Sequence, residues 1–432
     1  MYRRIFLQNT GRVLAGLLGG PLLSKRSSHF NLPFDAAERV IDPRDEAFWA
    51  LVREQFPLTK ERIYLNTGGL GASPHVVVAA LQNKINELER ISETGHSEEL
   101  WQSIKEKAGK ILGCKAEEIA YTRNATEGCA IVCNGLPLQR GDEVITTTHE
   151  HVGNTLSWLG RQKRDGIVMK TFEPAVFSAQ QNVERIAQRI TKRTRALSIP
   201  HITTSTGQIL PVKQIGELAA AHKLWYFVDG AQAAGMLPIN VHEIGCHAYA
   251  TSGHKWLLGP KGTGLLYVRE NALDLIEAKH LGGYSNAGEF DMVSGVFQLH
   301  PSAQRYEYGT VSTPLFVGLS AALDFLLGIG MQNVWRHNFA LATTLREGLR
   351  KLEVEINSPQ SPEEYSAMIT FTHKRMARDP LIKFLAEKYF LRTRGIYEGG
   401  LNAVRISLHV YNSFAEVERV LEGVQAATEQ LE

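Results

Sequence analysis

Cysteine is scarce in this chain: Cys114, Cys129, Cys133 and Cys246 are the only four among 432 residues. Their irregular spacing forms neither a C-x-x-C metal motif nor the paired framework of a disulfide-stapled domain, so all four are expected in the core. None follows position 246. An excess of one charge is missing as well. Lys and Arg total 47 against 45 Asp and Glu, and no long basic run with interleaved aromatics occurs, which argues against a nucleic-acid surface. A membrane-spanning N-terminal run is also lacking, because the charge-free stretch Val13–Leu23 falls short of the ~20 residues needed to span a bilayer. What remains is a 44% hydrophobic chain, long enough for two or three domains, whose expected partner is a small molecule.

The N-terminus has an order of its own. "YRRIFLQ" (Tyr2–Gln8) precedes the apolar stretch and "SKRSS" follows it. A basic start before a short apolar run is the layout of an export signal. Arg3-Arg4 with Phe6-Leu7 resembles a twin-arginine signal, which implies passage of an already folded protein to the periplasm. No clear A-x-A cleavage site follows, so an amphipathic N-terminal helix on a cytoplasmic protein is the alternative. Residues 1–30 are assigned to this segment.

From about residue 115, short apolar runs alternate with helical stretches: "EIAYT" before "TEGCAIVCNGL", "DEVITTT" before "VGNTLSWLGRQ", "ALSIPHI" before "VKQIGELAAAHK". This rhythm predicts an α/β domain with a mostly parallel sheet covered by helices, and ligand loops at the carboxyl ends of its strands. Cys129 and Cys133 share one face of a predicted helix, as packed residues do. "STPLFVGLSAALDFLLGIG" (312–330) reads as a long apolar helix, after which the texture changes to helix, strand, strand, helix, strand, strand, helix. The expected organisation is a large domain over 66–330, a smaller C-terminal α+β domain over 331–432, and a segment 31–65 packing near the small domain.

"TSGHKWLLGPKGTGLLYV" (251–268) sets Lys255 between a polar run and a glycine-rich turn. Alone, it reads as a solvated charge at a strand end. Upstream, however, "WYFVDG" closes an apolar strand with Asp229, which has no helix to cap and no obvious cation nearby. Two neighbouring strand ends bring an amine and a carboxylate to one crevice, as pyridoxal phosphate requires. The amine holds the aldehyde as a Schiff base, and the acid keeps the ring nitrogen protonated so that the ring draws electrons. A phosphate also needs donors, and "TRNATEGCAIV" (122–132) supplies a polar turn running into a helix. Thr126 is the candidate hydroxyl there, although a plain threonine at a helix start reads the same way.

Other motifs are less specific. His149 and His151 form an H-x-H pair, but no third ligand is spaced to join them, so no metal is expected. Arg405 lies in an apolar strand, where an inward guanidinium needs an anion such as a carboxylate. "GPKGTG" (259–264) has dinucleotide-like glycines, yet it precedes a strand instead of linking strand to helix, and that reading is rejected.

Together with "YLNTGGLGASP", "HEHVGN", "VDGAQAAG", "YEYGT" and "VRISLHVYN", these stretches make the chain resemble the class V aminotransferase family of fold-type I pyridoxal-phosphate enzymes. The match covers nearly all of the chain after the signal-like segment. That family includes cysteine desulfurases, selenocysteine lyases, kynureninases and isopenicillin N epimerases. The resemblance implies that Lys255 carries the cofactor, Asp229 pairs with the ring nitrogen and Gln232 reaches the ring hydroxyl. It implies that Ser252, His254 and Thr126 hold the phosphate, with Ala125 also in the cofactor-binding set, and that His151 stacks on the ring and serves catalysis. Arg405 matches the arginine that binds the substrate carboxylate. Thr310 of "YEYGT" matches a residue that reaches the phosphate in the partner subunit, which implies a homodimer.

Two departures narrow the function. A desulfurase of this family needs a cysteine shortly before the carboxylate-binding arginine, and this chain has none there. Thr204 of "PHITTSTGQILPV" stands where desulfurases place a ring-hydroxyl asparagine, and it joins the expected cofactor contacts. "LRTRGIYEGGLNAVRISLHVYN" (391–412) and "YLNTGGLGASP" (64–74) look most like the isopenicillin N epimerase branch. The expected function is chemistry at the α-carbon of an amino acid or amino-acid-containing metabolite, by an epimerase-like enzyme or an aminotransferase. A C–S β-lyase working without a cysteine nucleophile is the alternative, followed by a non-catalytic binding protein of the same fold. Arg394, on a predicted strand adjoining that of Arg405, is either a second anion-binding group or a solvated charge.

Overall fold

Short runs rich in β-branched and aromatic residues form strands wherever covering layers bury both their faces. The computed structural model describes residues 36–430. Its first eight strands are β1 (Ile63–Tyr64), β2 (Ile119–Thr122), β3 (Glu143–Thr147), β4 (Val168–Phe172), β5 (Thr194–Pro200), β6 (Trp225–Asp229), β7 (Ala248–Ser252) and β8 (Gly264–Val268). Then come β9 (Val354–Ile356), β10 (Met368–His373), β11 (Leu391–Arg392), β12 (Arg394–Ile396) and β13 (Ala403–Ser407).

Seven of them make one sheet in the order β2-β8-β7-β6-β5-β3-β4. Only β8 runs against the rest, pairing antiparallel with β2 and β7. Every residue of β2, β3, β7 and β8 is buried, as the near-continuous apolar runs require. The helix Ala125–Gly135 lies on this sheet, and Cys129 and Cys133 join Val132, Trp158, Phe227 and Leu266 in the core beneath it. Cys246 is also buried, but Cys114 is half exposed, which corrects its expected place in the core.

Beyond Ile329 the chain turns sharply at Gly330, whose φ of +86° suits a residue without a Cβ. The helices Thr313–Ile329 and Met331–Leu349 are therefore bent by 78°. The second sheet is antiparallel, β12-β13-β10-β9, over its own core of Leu341, Leu345, Ile369, Phe371, Leu385, Ile406 and Val420. The C-terminal stretch carries one strand more than expected, because β11 leaves this sheet and pairs parallel with β1. Ser413 and Glu416 close a reciprocal capping box at the last helix, Phe414–Glu429.

The segment before β2 reaches into this C-terminal part. Trp49 stacks on His337 at 3.8 Å, and Asn333 binds the carbonyls of Ala36 and Arg39. A third apolar cluster, with Ile202, Met236, Trp256, Ala367 and Met368, joins residues from both sheets' surroundings. Among the described residues, no single helix is long and apolar enough to cross a membrane. The signal-like residues 1–30, with Arg3 and Arg4, lie outside the described residues.

Candidate active site

The carboxyl ends of parallel strands converge, and the loops that follow them carry most of the expected site. β6 ends in Asp229 and β7 in Ser252, with Lys255 three residues further on in the turn before β8. β3 leads into His149, Glu150 and His151, and β2 into the helix that starts at Ala125. Gly71 closes over the lysine turn. Its N–H donates to the His254 carbonyl at 2.8 Å, and a Cβ at position 71 would fall 1.9 Å from the Lys255 carbonyl oxygen. Only glycine permits that approach.

Lys255 is buried, and among the described residues no hydrogen bond or ion pair holds its Nζ. Burial lowers its pKa to about 8, against the opposing pull of Asp229 and with Arg405 and Arg394 adding to the depression. At neutral pH roughly a tenth of such an amine is unprotonated, a far larger share than a solvated lysine offers, and the free base is what attacks a carbonyl.

Asp229 is equally buried. Its Oδ1 accepts from the Ala231 N–H at 2.9 Å and its Oδ2 from Cys129 Sγ at 3.7 Å. Burial raises its pKa, offset in part by the Ala231 bond and by Lys255. No cation pairs with it among the described residues, so the acid lacks the partner that a pyridinium would supply.

The phosphate side is a helix start. Asn124 caps it, its Oδ1 accepting from Glu127 N at 2.9 Å. Ser252 Oγ accepts from Ala125 N at 3.2 Å, Thr126 is exposed at the mouth, and His254 keeps a buried Nδ1 with no partner. These donors and the free N–H groups fit an anion. His151 caps the helix Val152–Asp165, its Nδ1 accepting from Gly153 N at 3.0 Å. Burial, with Lys255 and Arg394 nearby, lowers its pKa to about 4 and keeps it neutral.

The opposite wall comes from β12 and β13. Arg405 is fully buried. Its Nη1 donates to the Thr204 carbonyl at 2.8 Å, its Nη2 reaches Asn66 Oδ1 at 3.5 Å, and its Nε has no partner among the described residues. Burial and the neighbouring Arg394 lower its pKa to about 9. Among the described residues this guanidinium rests on neutral acceptors alone, with donor capacity that a carboxylate would suit.

Arg394 stands directly opposite Arg405 across the strand pair, so both side chains take the same face of the sheet. Arg394 is part-buried there and paired with Glu398. A cleft of about 550 Å³, lined by Tyr64, Leu70, Gly71 and Lys261 among others, opens beside the lysine turn.

The remaining expected residues make the following contacts within the chain. Gln232 Nε2 donates one hydrogen to the Gly68 carbonyl at 3.0 Å, and its Oε1 accepts from Trp256 Nε1 at 2.9 Å. Thr204 contributes its carbonyl to Arg405. Thr310 is exposed, just beyond Tyr308, whose hydroxyl donates to Glu127 at 3.0 Å. His149 pairs with Glu173 at 3.4 Å, and no group of three metal-ligating side chains occurs among the described residues.

Sequence reasoning passed over Glu150, Asn66, Gly68 and Glu398. Glu150 is buried near Asp229, its oxygens accepting from His151 N at 2.7 Å and Asn154 Nδ2 at 2.9 Å. Burial and the Asp229 charge push its pKa well up. It sits inside the motif "HEHVGN" and Asn66 and Gly68 inside "YLNTGGLGASP", so the stretches were visible but the individual roles were not.

A free buried amine, an unpaired acid, an anion-ready helix start and a buried guanidinium on neutral acceptors, all on a fold-type I scaffold, define a pyridoxal-phosphate-dependent enzyme. The chain belongs to the class-V aminotransferase family, whose family model matches residues 63–420. It is 28% identical over 388 residues to a "Probable cysteine desulfurase" of Methanothermobacter thermautotrophicus, covering 85% of this chain and 95% of that one. The apo structure of a cysteine desulfurase from Thermococcus onnurineus superposes with a TM-score of 0.78 at 26% identity, over 88% of this chain and 98% of that one. The cystine C-S lyase C-DES, solved as a lysine mutant with glycine covalently linked to its PLP cofactor, gives 0.79 and 26%, over 86% and 98%.

Proposed function

We propose that this enzyme cleaves the Cβ–S bond of a cysteine-derived amino acid by β-elimination, with the sulfur leaving on the substrate's own fragment. One observation carries this reading: the active site holds a guanidinium suited to a carboxylate and a free lysine, but no reactive thiol. Of the cysteines, Cys129 is the one at the site, and it is buried against Asp229 with its pKa driven well up, which leaves it inert as a nucleophile. The similarity to desulfurases and to a cystine C-S lyase supports sulfur chemistry, and the missing thiol supports a route with no enzyme persulfide.

Bound pyridoxal phosphate supplies a sink for the electron pair left when a bond to the α-carbon breaks. Lys255, Asp229, Ser252 and the start of the helix Ala125–Gly135 would hold it, with His151 beside it. Arg405 orients the amino acid by its carboxylate. Lys255 Nζ takes the α-proton, the Cβ–S bond breaks with both electrons leaving on sulfur, and the three-carbon remainder hydrolyses to pyruvate and ammonia. Neutral His151 and the buried walls restrict water during that step.

Epimerisation or amino-group transfer at the same carbon is the second reading, since the same Lys255 and Arg405 would serve it without any sulfur on the substrate. Turnover of L-cystine, S-methylcysteine, alanine and glutamate in deuterated water separates the three. Pyruvate with a thiol or persulfide is the expected product. A 2-oxo acid with a pyridoxamine spectrum, or α-deuterium with inverted configuration and no pyruvate, would reject the elimination.

The same proposal includes a homodimer in which Thr310 approaches the partner's phosphate site. It is supported by the exposed apolar group Phe290, Met292, Val293, Val296 and Phe297, a surface that suits burial against another subunit. It also includes export through Arg3 and Arg4. Replacing both with Lys should hold the protein inside the cell, and unchanged fractionation would remove the twin-arginine reading.

A further inference from the structure

Arg394 and Arg405 are directly opposed across the β12–β13 ladder. Like charges in that position destabilise a sheet, so something must offset them. Glu398 supplies one negative charge, bound to Arg394. Its other oxygen accepts only from the Tyr397 N–H, at 3.1 Å. Arg394 and Glu398 are both only part-buried, with side-chain exposures of 23% and 17%. Their charges are felt at His151 and Arg405, and that of Arg394 at Lys255 too, so the pair borders the crevice instead of pointing away from it. Gly399 and Gly400 follow with φ of +66° and +75°, folding the segment back so that Gly399 lies against His149.

The charges on this wall can be counted. Two guanidinium groups face one carboxylate, and the substrate's α-carboxylate on Arg405 brings the sum to zero. A distal acid would then leave an excess negative charge or have to expel Glu398, and a distal ammonium alone would leave an excess positive charge. A distal group bearing both charges leaves the wall neutral. It would also find donors on Arg394 beyond the one given to Glu398, and free lone pairs on Glu398.

We propose that the Arg394–Glu398 pair is a receptor for the far end of the substrate, and that this end is itself an amino-acid head group. The enzyme then takes a bis-amino acid of the cystine type. This rests on the reading that Arg405 binds the α-carboxylate.

The test is calorimetric binding to the holoenzyme of diaminosuberate, in which carbon replaces both sulfurs of cystine so that no C–S bond can break. Aminosuberate lacks the distal ammonium, and homolysine lacks the distal carboxylate. Diaminosuberate should bind about tenfold tighter than either comparator, the scale of one charged hydrogen bond. Arg394→Gln should erase its advantage over homolysine, and Glu398→Gln its advantage over aminosuberate. Equal binding of the three ligands, or tightest binding of aminosuberate, would overturn the proposal. If Arg394→Gln loses its thermal transition, the Glu398→Gln comparison decides. Failure of the receptor is separable from failure of the reaction: pyruvate release from S-methylcysteine without a diaminosuberate preference rejects the receptor alone, and a diaminosuberate preference without pyruvate release supports it while rejecting the elimination.

Discussion

The two edges of the large sheet treat buried charge in opposite ways. At the amino edge, Glu143 opens β3 and is saturated: Thr191 and Thr194 donate to it at 2.6 and 3.1 Å, Arg193 at 3.1 Å, and Lys170 pairs with it at 3.1 Å. Burial works against its ionisation, yet these partners win and lower its pKa to about 2. At the carboxyl edge, among the described residues, Asp229 ends β6 with no cation, Glu150 lies buried beside it, Lys255 has no partner, and Arg405 on the facing wall has no anion. There burial wins, raising the acids and lowering the bases. A charge the chain satisfies belongs to the fold. A charge it leaves unsatisfied awaits a ligand.

Removing the free amine should break this contrast most severely. Lys255→Ala is expected to lower turnover by about 10⁴-fold or more and to abolish the visible absorbance of the lysine-linked cofactor. In the wild-type apoenzyme, cofactor attachment should quicken as pH rises from 7 and level off above about 8, where the amine is already deprotonated. A rate that kept climbing to pH 10.5 would show an unperturbed lysine.

Arg405→Met comes next. Replacing an unpaired buried cation with an apolar side chain of similar length should leave the apoprotein at least as stable in urea, while KM for amino acids rises about 100-fold from loss of the carboxylate contact. Marked destabilisation with unchanged KM would make Arg405 a structural residue.

Glu143→Gln is the smallest effect and the opposite control. Because the folded-state pKa is depressed, the carboxylate's contribution is present above the unfolded value of about 4.5 and is lost as pH falls toward 2. The variant should be less stable at pH 7 by about 2 kcal/mol, should converge on wild type in acid, and should keep its kcat. A stability gap independent of pH would mean that packing, not charge, is what Glu143 supplies.

The carboxyl edge was far easier to read from sequence than the facing wall. Asp229, Lys255 and the helix start at Ala125 sit at ends of apolar runs, where a charged or polar residue interrupts a clear period and a local pattern suffices. The facing wall depends on register. That Arg394 lies opposite Arg405 follows from the turn through Gly399 and Gly400, and a shift of one residue would have sent Arg394 to the other face. Gln232 shows what a motif leaves out: nothing local revealed that Gly68 would take one of its amide hydrogens and Trp256 its oxygen. β11 was missed as a separate element because two residues carry no periodicity, and its partner β1 lies over three hundred residues earlier.

Contacts of that span also govern when the site comes into being during synthesis. Thr67 meets the Ser407 carbonyl and Arg405 meets Asn66 across 340 and 339 residues, so the residues near the start of the fold wait for those near its end. A nascent chain that has completed the whole large sheet still lacks Arg405, the residue proposed to take the substrate's carboxylate. Long-range closure of this kind is slow and comes late, which makes substrate recognition a post-translational event. A ribosome-bound or C-terminally clipped chain could hold the lysine and its acid in place and still be unable to select an amino acid.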